Sequence, residues 1–228
     1  MLVEAIGWGA LAASSLILGA VLGLAGRWPE RLVGLVLAFG AGALISAVSF
    51  DLAEEGLQIG DPAFLAAGLG TGAIAFYVLD GAFDRGGTNA LALGAFLDGI
   101  PEQLVLGIGL AAGDGVSLGL LAAIFVSNLP EAIGSSTTMR AAGTRPAAIR
   151  RLWSLIAVGC AMATPVGFAI ADVTGGNLQA GINGFAAGAL LVMLIDSMIP
   201  EAREKAGRAG GLITVLGFAV AMGLSNVG

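Results

Sequence analysis

Apolar runs of about 20 residues or more, separated by short polar breaks, follow one another along the whole chain. Within each run the apolar residues are continuous rather than alternating, so the pattern predicts helices and not the strands of a barrel. A hydrocarbon layer about 30 Å thick needs about 20 residues of helix. On that measure the runs predict eight transmembrane helices, at about 2–26, 32–55, 62–83, 89–112, 116–140, 147–173, 178–202 and 209–227. The breaks are built from Gly, Pro, Asp and Arg, as in Gly60-Asp61-Pro62 and Gly113-Asp114-Gly115. The expected fold class is an all-α membrane protein, and residues 1–228 read as a single domain with no stretch left for a soluble one.

Composition agrees: 57% of residues are hydrophobic and 11% charged, against about 25% charged in soluble domains. The ten basic residues add an orientation. Arg27 and Arg31 fall between predicted helices 1 and 2, and Arg85 between 3 and 4. Arg140, Arg145, Arg150 and Arg151 surround the break between 5 and 6; Arg203, Lys205 and Arg208 are assigned to the loop between 7 and 8. The remaining breaks and both termini carry none. By the positive-inside rule the odd-numbered loops are cytoplasmic and both termini extracytoplasmic. No basic segment precedes the first run, so residues 2–26 read as a retained helix rather than a cleaved signal.

Glycine is abundant, with 38 residues. The pairs Gly19/Gly23, Gly115/Gly119 and Gly184/Gly188 have the small-xxx-small spacing that lets membrane helices approach closely. Cys160 is the one cysteine, which excludes an internal disulfide, and it reads as a packed core residue. There is no histidine, so the commonest transition-metal ligand and neutral-pH proton carrier is missing.

A weak internal repeat is also present. AGALISAVSFDLAEE (41–55) and AGALLVMLIDSMIPE (187–201) both begin AGAL and end on an acid, 146 residues apart. They belong to predicted helices 2 and 7, which would cross in opposite directions. An inverted repeat of helices 1–3 and 6–8 around helices 4 and 5 is therefore expected, an arrangement common among transporters.

The chemistry concentrates in helices 4 and 5. Asp98-Gly99-Ile100-Pro101-Glu102 and Ser127-Asn128-Leu129-Pro130-Glu131 each place a proline–glutamate pair near the middle of an apolar run. Acids at that depth are costly and mark ion or proton pathways. Proline withdraws one N–H and frees a carbonyl one turn earlier, at Leu97 and Val126. Asp98 and Glu102 share a helix face by their i, i+4 spacing, as do Ser127 and Glu131, with Asn128 alongside. A short connection makes helices 4 and 5 antiparallel neighbours. Asp98, Glu102 and Glu131 would then face one another, with Asn128 adding an amide oxygen. Unshared negative charges repel in low dielectric, and a bound divalent cation relieves that repulsion. These four residues are the predicted metal ligands. Ser127, and Gln103 (which points about 100° away), are weaker candidates on the same helices. Asp51 and Asp196, deeper than the acids nearest the helix ends, are candidates for the pathway to and from the site.

These motifs resemble the ZIP (Zrt/Irt-like) family of divalent metal transporters. That family carries a His-Asn-x-Pro-Glu-Gly type motif in helix 4 and a similar one in helix 5. Residues 98–103 and 127–132 align with them, and the ends of helices 2 and 7, at Phe50 to Glu55 and Asp196 to Ala202, are also similar. The resemblance implies eight helices with both termini outside, a site for one or two metals at these positions, and a homodimer. The chain departs from the pattern at Asp98 and Gly99, which stand at the His and Asn positions, at Ser127, which stands at the second His position, and at Thr164, where some members have an acid. The family's long His-rich loop between helices 3 and 4 is reduced to Asp84–Thr88. The resemblance supports one oxygen-lined site.

The expected function is movement of a divalent cation across a plasma or inner membrane toward the cytoplasm. The ion is substrate, no resident cofactor is expected, and neither enzymatic activity nor nucleic-acid binding is expected. Oxygen ligands favour Mn²⁺, Fe²⁺ or Mg²⁺, while the family favours Zn²⁺. Two other classes stay open: a metal-independent carrier of protons or a small solute, and an intramembrane hydrolase using paired carboxylates.

Overall fold

The computed structural model describes residues 2–26, 28–83, 88–111, 115–172 and 174–225. Arg27, Arg85 and most of the connection between the third and fourth runs lie outside them. The described residues are helical almost throughout, with no strand among them. Eight helical runs follow the predicted segments. They are α1 (Leu2–Ala25), α2 (Glu30–Ile59), α3 (Pro62–Phe83), α4 (Thr88–Ala111), α5 (Leu118–Ala141), α6 (Pro146–Asp172), α7 (Gly176–Ala206) and α8 (Ala209–Ser225). Among the described residues six of them, α1, α2, α3, α5, α6 and α7, are long and apolar enough to cross a membrane. The other two are α4, whose centre holds Asp98, Glu102 and Gln103, and α8, which is shorter.

Two helices run further than predicted. α7 continues to Ala206, so Arg203 and Lys205 are helical and only Arg208 is in the connection to α8. The extension, Arg203-Glu204-Lys205-Ala206, is made of good helix formers, and Lys205 pairs back with Glu201 at i, i+4. Likewise α2 continues to Ile59.

Each of α2 and α7 widens for a few residues into π-helical turns, at Val48–Glu54 and Leu194–Met198. The two segments begin 146 residues apart, the offset of the sequence repeat. Such turns recur at functional sites.

The main helix pairs are α3 with α7, α2 with α8, α1 with α5 and α4 with α6. Their glycine contacts are reciprocal. A Cβ built on Gly42 of α2 would lie 1.9 Å from Thr214 O of α8, and one on Gly188 of α7 would lie 2.0 Å from Leu69 O of α3. In the other direction, a Cβ on Gly217 of α8 would meet Phe39 O, and one on Gly72 of α3 would meet Phe185 O. Both seams admit nothing larger than hydrogen there, which accounts for the stripes of small residues. Gly19/Gly23 and Gly184/Gly188 pack as predicted, against α5 and α3. Gly115 does not: it precedes α5 with a φ of 86°, so it serves a turn, and only Gly119 packs, against α8.

Candidate cation site between α4 and α5

Antiparallel packing brings the two proline–glutamate segments to one level. Glu102 of α4 is 1% exposed, and its Oε1 accepts a hydrogen bond of 3.1 Å from Ser127 Oγ of α5. That hydroxyl also lies 3.0 Å from Ile124 O, one turn earlier, so its single proton serves only one of the two at a time. Glu102 Oε2 and both side-chain polar atoms of Asn128 are buried without a hydrogen bond of good geometry, although the Asn128 side chain lies within reach of the Glu102 carboxylate. Buried polar atoms without a well-formed hydrogen bond are costly, and here they cluster at one level of α4 and α5.

One turn away on each helix the site opens. Asp98 and Glu131 line a cavity of about 430 Å³, together with Ser197, Glu201, Glu204 and Lys205 of α7 and Asp80 of α3. Asp98 Oδ2 accepts a hydrogen bond of 3.1 Å from Ser197 Oγ. Asp98, Glu102 and Glu131 lie within electrostatic reach of one another, and Glu201 reaches Asp98 and Glu131. Among the described residues, however, no three Asp, Glu or Cys side chains are arranged to hold one ion. The donors that do come together are mixed: carboxylates, an amide and hydroxyls.

A second cavity, of about 230 Å³, reaches the same helices from the opposite end. It is lined by Asp51 and Glu55 of α2, by Val105, Leu106 and Gly109 of α4, and by Ser117 and Ser225. Ser117 sits at the N-cap of α5, accepting from the Leu120 N–H, and donates a 3.3 Å hydrogen bond to Asp51 Oδ2. From Asp98 in the first cavity to Val105 in the second, α4 advances about 10 Å at 1.5 Å per residue. That layer contains Glu102, Ser127 and Asn128, none of which lines either cavity.

The two cavities share a pattern. Asp51 and Glu55 stand 146 residues before Ser197 and Glu201. Val105, Leu106 and Gly109 stand 29 residues before Gly134, Ser135 and Thr138, the offset that superposes Pro101 on Pro130.

Other candidates lie elsewhere. Gln103 is fully buried against α6, where its Oε1 accepts a 2.5 Å hydrogen bond from Thr164 Oγ1. Asp196 is exposed, beside Tyr77 and aliphatic residues of α3 and α7, and is not among the residues of either cavity. The cavity receives its neighbour Ser197 and also Glu201, whose signal in the sequence is Ser197-Met198-Ile199-Pro200-Glu201, the same S-x-x-P-E spacing as Ser127 to Glu131. Gly99 is explained by Cys160: a Cβ there would lie 2.7 Å from Cys160 Sγ.

No family model matches the chain. An Arabidopsis thaliana protein named "putative zinc transporter" is similar to it. The two are 29% identical over 190 residues, which is 76% of this chain and 30% of that protein. The chain thus spans less than a third of the length of the curated relative it matches. Among the described residues, six apolar helices of membrane-spanning length mark a multi-pass membrane protein.

Proposed function

We propose that the chain is a carrier for a divalent cation, with Glu102, Asn128 and Ser127 at its centre and Asp98 and Glu131 at the mouth of the open cavity. The observation that carries this reading is the buried layer of polar atoms without well-formed hydrogen bonds between two acid-lined cavities. An ion admitted to such a layer supplies positive charge to Glu102 Oε2 and to the amide oxygen of Asn128, neither of which makes a well-formed hydrogen bond. Neither an intramembrane hydrolase nor another enzyme is proposed.

The reciprocal glycine contacts and the matched cavity linings support an inverted repeat of α1–α3 and α6–α8 around α4 and α5, with all eight helices crossing the membrane. One cavity then opens while its counterpart closes, and the site faces each side in turn. The distribution of basic residues supports an orientation with the open, Lys205-containing cavity on the cytoplasmic side and both termini outside, and the proposed movement is toward the cytoplasm. The oxygen-rich donor set favours Mn²⁺ or Fe²⁺, whereas the name of the relative favours Zn²⁺. A homodimer in the cell membrane is part of the same reading.

The test is direct. Purified chain should be stabilised against heat by Zn²⁺ or Mn²⁺, and proteoliposomes should accumulate the ion. Glu102→Ala and Glu131→Ala should each abolish uptake while the protein stays folded. Among the described residues no three acidic ligands meet at one point, which favours a second reading, a metal-independent carrier of protons or a small solute. That reading requires no stabilisation by any divalent ion.

A further inference from the structure

The open cavity has a cation already built into its wall. Lys205 is anchored at both ends. Its Cβ packs where α2 approaches α7, so closely that a Cβ on Gly34 would lie 2.5 Å from it. Its ammonium pairs with Glu201 one turn earlier on α7. That pair lies against α5 at Gly134, where a Cβ would stand 3.5 Å from Lys205 Nζ and 3.8 Å from Glu201 Oε1. Gly134 follows Glu131 by three residues and so shares its face of α5. The side chain of Lys205 is only 23% exposed. Its base is held by a close helix contact and its head by the ion pair with Glu201, and it lines the space shared with Asp98 and Glu131.

We propose that Lys205 is a tethered competitor for the transported cation. Resting on the function proposed above, its ammonium offsets the cavity acids when no ion is present. It also repels a divalent ion in the open cavity, so the cavity releases its ion readily and reloads poorly from the same side. The effect is Coulombic. A unit charge about 10 Å from a divalent ion, at an effective dielectric between that of a protein surface and water, changes affinity by roughly three- to ten-fold.

The experiment titrates purified full-length chain with Zn²⁺ and with Mn²⁺ by calorimetry. It also measures uptake by proteoliposomes. Lys205→Met keeps the aliphatic stem and removes the charge, and should bind roughly three- to ten-fold more tightly. Its maximal uptake rate should fall, because release has slowed, while the external concentration for half-maximal uptake does not rise. Lys205→Arg keeps the charge and should match the parent in both measurements. If Lys205→Met folds poorly, Lys205→Gln gives the same comparison. Unchanged affinity in the neutral variants, or an equal gain in Lys205→Arg, overturns the assignment to charge and leaves the carrier reading standing. A parent that binds neither ion sinks the carrier reading and the role of Lys205 with it.

Discussion

Gly99 stands one residue from Asp98, and the structure gives it a packing reason that can be measured. Gly99→Ala adds a single Cβ, which would sit 2.7 Å from Cys160 Sγ, about 1 Å inside ordinary contact. The next atom of α6, Cys160 Cβ, is at 3.6 Å, an ordinary distance. The overlap therefore comes from the sulfur alone. Forcing one methyl into a packed seam costs about 1–3 kcal/mol. Cys160→Ala removes the sulfur and leaves a small void, costing about 1 kcal/mol. On that background Gly99→Ala should be neutral, or stabilising by up to about 1 kcal/mol, the difference in helix propensity. The two substitutions should thus couple by about 1–3 kcal/mol in a double-mutant cycle, read from equilibrium unfolding in mixed detergent. Additive effects, or a harmless Gly99→Ala in the parent, would refute the close approach of α4 and α6 at this level. Building an Asn at 99 meets the same obstacle, so it cannot serve as a clean test of ligand chemistry.

Asp98→His alone is that test: imidazole suits Zn²⁺ better than Mn²⁺, so competition between the two ions in proteoliposomes should shift toward Zn²⁺, and an unchanged ratio would mean that position 98 does not touch the ion. Ser127→Ala removes the hydrogen bond to Glu102 and leaves the hydroxyl's place empty; calorimetric titration should show the binding constant weakened by about ten-fold, the worth of one hydrogen bond to a charged group. Cysteines introduced at Val3 and at Gly115 should react with an impermeant reagent from outside intact cells, and one at Gly143 only after permeabilisation; the reverse result would invert the orientation.

Much of this was legible because helical spacing is regular. Pro101 and Pro130 sit inside otherwise unbroken helices, and i, i+4 counting put Glu102 and Ser127 on faces that meet. The same counting placed Gln103 off that face, and the structure buries it against Thr164 instead. Counting fails where the helix changes pitch. Asp196 is a pathway candidate for its depth alone, which does not fix the face it takes, and the π-helical turns at Leu194–Met198 change the pitch by which a face could be counted. Asp196 ends on the outside, and Ser197 and Glu201 turn inward. The end of α7 is obscured for another reason: Arg203 and Lys205 read as loop residues because they are charged, whereas both belong to the last turn of α7, Arg203 exposed and Lys205 along the cavity wall.

The close helix packing at the buried layer has a consequence for speed. A Cβ on Gly40 of α2 would lie 2.9 Å from the Cα of Ser127, so at the level of the site one helix backbone rests almost directly on another. A gate made of a side chain can flicker by rotamer hops within nanoseconds, but a backbone contact has no rotamers. It parts only when whole helices shift, on a scale of microseconds to milliseconds. If the chain carries ions as proposed, each passage waits for that shift, so throughput is bounded at about a million ions per second at most, and at about a thousand if the shift takes a millisecond. Single-channel current steps should accordingly never be seen, however steep the gradient.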